Sequence, residues 1–255
     1  MLDLESLGLL PVLFILTTIG LGALIKGVTG VGLPIFAVPA LSMFVPVEQA
    51  VIIMALPGVV ANVWLVFAHR EHLPILQDHR EFLLSGFIGA LCGTWLLVTI
   101  SDVLLKALLA TWLGYYLVRH YFGSQQASTR QRSKFVSGAI GFLGGSSQGA
   151  TGISAPIIAP YFQSSDLKPT AFAFAVAFTF GILAISQVIA ITGGNLFTGV
   201  LFGYGVLATL ATMIVIPIGI YLGRRLNKET FNRILPIVLI LIELKLVADV
   251  VRALT

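Results

Sequence analysis

Lys26 stands at the end of a long apolar run and is followed at once by Gly27-Val28-Thr29-Gly30-Val31-Gly32-Leu33-Pro34. A lysine that far inside hydrocarbon is costly to keep, so it is a functional candidate by default. Further on, Gln148 is followed by Gly149-Ala150-Thr151-Gly152-Ile153-Ser154-Ala155-Pro156. An offset of 122 residues carries the first stretch onto the second with Gly, Thr, Gly and Pro in register, and also sets Gly22 on Gly144, Lys26 on Gln148 and Ala37 on Ala159. Each stretch offers donors: hydroxyls at Thr29, Ser146, Ser147, Thr151 and Ser154, the Gln148 amide and the Lys26 ammonium. Glycines at Gly27, Gly30, Gly32, Gly149 and Gly152 let backbone come close to a bound group. Pro34 and Pro156 suit a first helical turn, and a helix start carries roughly +0.5 charge with free N–H groups. Together these groups are suited to holding a small oxyanion rather than a cation. The competing reading is that glycine and serine merely allow close helix packing while Lys26 snorkels.

Other chemistry-bearing residues are sparse. Glu243 lies near the middle of the last apolar run and is a candidate for a coupled proton, with a structural ion pair as the alternative. Lys245 and Asp249 have the i,i+4 spacing of a helical pair. Asn62, the one strongly polar side chain in its run, reads as an interhelical hydrogen bond before a ligand. Gly145-Ser146-Ser147-Gln148-Gly149 matches the serine-hydrolase pattern G-x-S-x-G, which has meaning only on a strand-to-helix elbow with a positioned histidine. His69, His72, His79 and His120 fall in or beside polar loops and have no metal-ligand spacing on a shared face. No cofactor motif occurs. G-x-x-x-x-G-K-[ST] is missing, so energy would come from an ion gradient, proton or sodium, or from the solute's own gradient.

These residues are embedded in a chain of 255 residues that is 57% hydrophobic and 10% charged, with mean hydropathy +0.99. Soluble domains carry about a quarter charged residues, so the composition indicates an all-α integral membrane protein. The net charge of +4 comes from basic residues in short loops, where membrane anchoring explains them and nucleic acid is not indicated as a partner. The single cysteine, Cys92, excludes an intrachain disulfide. Asp3 and Glu5 precede the first apolar run, which lacks a basic n-region and is therefore expected to be retained.

The apolar runs define two halves. Residues 1–122 hold a broken hairpin over 7–45, with limbs Leu7–Gly27 and Leu33–Val45, and spans at 50–68, 82–100 and 103–122. A polar linker occupies 123–134. Residues 135–255 hold a second hairpin over 135–163, with limbs Phe135–Ser146 and Ile153–Phe162, and spans at 170–192, 197–222 and 234–251. Pro57 is an expected kink, and His69 to Glu81 an expected charged loop. Arg119, Arg130, Arg132 and Lys134 place the linker in the cytoplasm by the positive-inside rule. Returning hairpins then bring Arg70–Arg80 and Arg224–Arg233 to the same side. A returning hairpin plus three spans is an odd number of crossings, so the two halves come out inverted, each a broken re-entrant hairpin followed by three transmembrane helices. Paired interruptions of this kind mark the binding site of many secondary carriers.

The run Gly22-Ala23-Leu24-Ile25-Lys26-Gly27-Val28-Thr29-Gly30-Val31-Gly32-Leu33-Pro34 resembles the TauE/SafE family, also called toluene sulfonate uptake permeases. Gly144-Gly145-Ser146-Ser147-Gln148-Gly149-Ala150-Thr151-Gly152-Ile153-Ser154-Ala155-Pro156 is similar to the family's repeated glycine-rich motif. The resemblance covers essentially the whole chain. It implies a multi-pass protein of the bacterial or archaeal inner membrane that carries sulfite, sulfonates or related organosulfur anions and is not an enzyme. Lys26 and Leu33 depart from the commoner form of the first motif. The expectation is alternating access around a midplane anion, the alternatives being a carrier or channel for another small solute, or an intramembrane serine hydrolase. Direction, stoichiometry and oligomeric state, a homodimer included, stay open in the sequence.

Overall fold

Apolar runs that face lipid can satisfy their peptide groups only inside helices or closed barrels, and here every run becomes a helix. A computed structural model describes residues 8–30, 32–122, 133–165, 167–223, 225 and 228–254, and of Trp64, Ala68, residues 228–234 and Leu254 the backbone alone. The α-helices are α1 Leu9–Thr29, α2 Leu33–Ser42, α3 Val47–Ala68, α4 Arg80–Thr99, α5 Asp102–Phe122, α6 Lys134–Thr151, α7 Ala155–Gln163, α8 Pro169–Gly193, α9 Gly199–Gly223 and α10 Lys228–Leu254. No strand occurs among the described residues. Among the described residues, five segments are long and apolar enough to cross a membrane: Leu9–Thr29, Val47–Phe67, Arg70–Thr99, Pro169–Gly193 and Gly199–Gly223. Large side chains such as Leu84, Trp95, Ile214, Leu241 and Leu244 project outward, a surface suited to hydrocarbon rather than water. The chain is an all-α, multi-pass membrane protein.

Several boundaries depart from the sequence expectation. α1 runs on to Thr29 and α6 to Thr151, past the expected ends at Gly27 and Ser146. In an apolar setting the i→i−4 ladder continues until a residue adopts the left-handed conformation, and Gly30 and Gly152 are those residues. α2 stops at Ser42 instead of Val45. The stretch expected as a charged loop, His69 to Glu81, forms a 3₁₀ helix over Arg70–His79 and then starts α4. α10 begins at Lys228, so Lys228 and Arg233 belong to a helix and not to the expected loop. α3 begins at Val47 instead of Ala50 and holds Pro57 within it. The linker 123–134 lies outside the described residues except for Ser133 and Lys134; Ser133 caps α6, its hydroxyl accepting from the Val136 N–H at 3.3 Å.

α2 has 10 residues and α7 has 9, spanning about 15 Å against about 30 Å of hydrocarbon, so neither crosses alone. Each folds back beside the helix before it. The packing partners then follow a simple exchange. α1 packs on α9, and α6 packs on α4. α3 meets α8 and α5 meets α10, while α3 also touches α9 and α8 touches α4. Renumbering α1–α5 as α6–α10 and the reverse carries this set of pairs onto itself.

Glycine permits the two tightest crossings. A Cβ on Gly89, Gly93 or Gly149 would overlap backbone of the facing helix in the α4–α6 pair, at Phe142 O, Ser146 O and Ala90 O respectively. In the α1–α9 pair, a Cβ on Gly27 would stand 2.6 Å from Ile216 O. Without a hydrophobic drive between helices in lipid, such close backbone approach is what holds them together. At the far end of α7, Phe82 stacks on Tyr161 with centroids 3.9 Å apart, and the Tyr161 hydroxyl lies 3.0 Å from His79 Nδ1.

Candidate functional site

The two interruptions have the same local build. Gly30 caps α1 at φ 82°, its N–H donating to Lys26 O at 2.7 Å. Gly152 caps α6 at φ 70°, its N–H donating to Gln148 O at 2.7 Å. Gly32 and Ser154 then precede α2 and α7, whose first turns contain Pro34 and Pro156. A left-handed residue at both caps costs a side chain about 1–2 kcal/mol, which explains glycine at both.

Between the two tips lies a cavity of about 30 Å³. Hairpin one contributes Lys26, Gly32, Leu33, Pro34 and Ile35 to its wall, and hairpin two contributes Gln148, Ile153, Ser154 and Ala155. α3 closes it with Gly58, Ala61 and Asn62, and α8 with Phe180 and Ala184. One water needs about 10–15 Å³ on this measure, so the space holds a solvent molecule or two and not an organic anion with its tail.

The polar wall has two parts. On one side, Lys26, 4% exposed, donates from Nζ to Asn62 Oδ1 at 2.7 Å, and Asn62 Nδ2 donates to Gly58 O at 2.7 Å. On the other, Ser154 Oγ donates to Gln148 Oε1 at 2.8 Å, and Gln148 Nε2 donates to Gln187 Oε1 at 3.3 Å. Gln187 Nε2 donates in turn to the carbonyls of Gln148 at 3.0 Å and Gly149 at 3.2 Å. In each half the residue at the matching position of the first limb is thus held by an amide from the following long helix: Asn62 for Lys26, Gln187 for Gln148.

Of the residues singled out by sequence, Lys26, Gly32, Gln148 and Ser154 come together on this wall. The others stand behind or away from it. Gly27 serves the α1–α9 crossing, and Gly149 the α4–α6 crossing. Gly30 and Gly152 are caps. Thr29 is exposed and its hydroxyl donates to Ile25 O at 2.9 Å. Thr151 is buried and donates to Ser147 O at 2.7 Å. Ser147 donates to Ile153 O, a short contact that braces the turn. Ser146 Oγ is buried and, among the described residues, has no hydrogen-bond partner. Glu243 is remote, in the α5–α10 interface, where a Cβ on Gly114 would stand 3.3 Å from its Oε1. Lys245 does pair with Asp249, at 2.9 Å, and its ammonium also donates to Met43 O at 3.1 Å.

Asn62 is both an interhelical bond and part of the wall, a combination the sequence reading separated. Gln187 was missed there. Its signal was available: like Asn62 in its own run, it is the one amide in the apolar run from Thr170 to Thr192. Gly145–Gly149, the hydrolase-like pattern, lies within α6 and packs on α4, with no elbow. Among the described residues no group of three His, Cys, Asp or Glu side chains gathers.

An apolar hollow with a few converging polar groups, set between two broken hairpins in a membrane, has the form of a solute-binding site. Neither a curated relative nor a solved structure matches the chain. The family model described as "Sulfite exporter TauE/SafE" matches residues 14–246. This match covers both hairpins and every long helix that lines the cavity, so the chain belongs to the TauE/SafE sulfite exporter family, a family of membrane transporters and not of enzymes.

Proposed function

We propose that the protein is a secondary carrier that moves a small sulfur oxyanion, sulfite or an organosulfonate, across the cell's inner membrane by alternating access. One observation carries the reading: Lys26 of one broken hairpin and Gln148 and Ser154 of the other line a single cavity. A buried ammonium, an amide and a hydroxyl supply the donors an S–O⁻ group needs, and the surrounding apolar wall strengthens each of those bonds. The residues 1–122 and 135–255 are read as two inverted repeats, with the linker cytoplasmic. The exchange of packing pairs, α1–α9 against α6–α4, supports a two-fold relation between them. Glu243 is the candidate for proton coupling.

Purified protein in liposomes tests this directly. Flux of sulfite, offered at mildly acidic pH as the hydrogen sulfite monoanion, and of methanesulfonate, with and without an imposed pH gradient, is expected to exceed that of protein-free vesicles and to saturate. Flux that stays at the protein-free level for both anions, from protein that remains folded, would refute the reading.

A further inference from the structure

The charge balance of the cavity goes one step further, and rests on the reading of this cavity as the anion site. At each tip a helix ends where another begins. α1 brings roughly −0.5 charge at its C-terminus and α2 roughly +0.5 at its N-terminus, and α6 and α7 do the same across the cavity. The half-charges offset each other locally, so the helix ends orient donors without adding net charge. What remains is Lys26. Its only hydrogen-bond acceptor among the described residues is the neutral Asn62 amide, and no described carboxylate lies within 4.0 Å of its Nζ, whereas Lys106, Lys134 and Lys245 all have one. The matching position on the other tip is the neutral Gln148, held by the neutral Gln187. A buried ion without a partner is costly, and an ion pair with unequal charges leaves the surplus buried.

We propose that the substrate is itself the counter-ion of Lys26, so that this carrier selects monoanions bearing one sulfonate-type group over dianions. A monoanion leaves the site neutral when the cavity closes. A dianion leaves one negative charge facing a wall with no second cation, where only the neutral Asn62, Gln148 and Ser154 stand among apolar side chains such as Leu33, Pro34, Phe180 and Ala184. Lys26, with Asn62 behind it, is therefore the specificity-determining residue.

The test is binding to the full-length protein in detergent, read by calorimetry and by thermal shift, with methanesulfonate, sulfate and the uncharged dimethyl sulfone as probes. Methanesulfonate is expected to bind at least tenfold more tightly than sulfate, and the sulfone not measurably. Asn62→Asp places a carboxylate where the amide oxygen now meets Nζ at 2.7 Å. It loses the Nδ2–H donated to Gly58 O at 2.7 Å but gains an ion pair with Lys26, and is expected to stay folded while weakening methanesulfonate at least tenfold, because the site then has its own counter-ion. Lys26→Gln should lose the preference for methanesulfonate over sulfate. Sulfate binding as tightly as methanesulfonate would overturn the charge match while leaving an anion carrier standing. Unchanged methanesulfonate affinity in a folded Asn62→Asp protein would do the same. If no anion binds the wild-type protein, the site reading and this inference fall together.

Discussion

Gly27 on α1 and Gly219 on α9 meet backbone to backbone. A Cβ on Gly27 would stand 2.7 Å from the Gly219 Cα, and one on Gly219 would stand 2.9 Å from the Gly27 Cα. Gly149 on α6 stands in the same relation to α4, where its Cβ would lie 2.7 Å from Gly93 C. Both obstacles are backbone, so an added methyl has no flexible side chain to push aside. Overpacking of this kind costs about 1–3 kcal/mol. Gly219→Ala and Gly149→Ala are each expected to lower the melting temperature of the purified protein by several degrees. Gly20→Ala is the control, since nothing lies within 4 Å of its Cβ position, and should leave the transition unchanged or slightly raised through helix propensity. A wild-type melting temperature in Gly219→Ala would mean that the α1–α9 crossing is looser than described.

Gln187 holds the second tip from behind. Its amide donates to two carbonyls at the end of α6 and accepts from Gln148. Gln187→Ala strands those buried groups, at about 1–3 kcal/mol for an unsatisfied polar partner, and should loosen Gln148 on the cavity wall. Gln187→Glu keeps an acceptor for Gln148 but loses the donor and adds negative charge behind the wall. The expected order of methanesulfonate uptake in liposomes is wild type, then Gln187→Ala, then Gln187→Glu. Uptake by Gln187→Glu at or above the level of Gln187→Ala would show that charge near Gln148 has no bearing on the anion.

Glu243 is the residue proposed for proton coupling, away from the cavity. Its Oε2 is buried without a hydrogen-bond partner among the described residues, and α5 faces it with Gly114. Of the helices packed on α10, α2 carries no titratable side chain, α5 brings Tyr115 and Tyr116 beside Gly114, and Lys245 and Asp249 on α10 itself neutralise each other. Glu243→Gln is expected to keep methanesulfonate affinity within about twofold while abolishing the extra uptake that an imposed pH gradient drives. A Glu243→Gln protein that responds to the gradient as wild type does would assign the coupling elsewhere.

The helices and the pairing of the two interruptions were legible because each leaves a local mark: a run of apolar residues, then glycine, then proline. The offset of 122 residues identified Lys26 and Gln148 as equivalents, and both lie on the cavity wall. The side-chain directions at the tips were not legible. Thr29 and Thr151 repeat in register as Lys26 and Gln148 do, yet their hydroxyls turn back on Ile25 and Ser147. A threonine in the last turn of a helix can satisfy itself on the carbonyl four residues earlier, and that choice leaves no trace in spacing. Gly27 and Gly149 were read as room for a ligand, whereas they make room for α9 and α4. Only the exchange of helices between the two parts of the chain creates that need, and long-range packing is not encoded in a local motif.

That exchange bears on how the protein moves. If the first limb of each hairpin is locked to a helix of the other repeat, the moving bodies are not the two sequence halves but two mixed ones: hairpin one with α9, and hairpin two with α4. The glycine crossings favour this division, because interlocked backbones are bistable at best and do not slide smoothly. Ser85 on α4 donates from Oγ to Gly138 O on α6 at 2.7 Å, and a Cβ on Gly138 would lie 3.8 Å from that Oγ. A Ser85→Cys/Gly138→Cys pair, with Cys92 replaced by Ala, therefore falls within disulfide reach. Under mixed bodies the oxidised and reduced proteins should transport at the same rate, since the bond joins two parts that already travel together. Under movement of whole sequence halves, α4 and α6 separate during each cycle. Oxidation would then halt uptake, and a reductant would restore it.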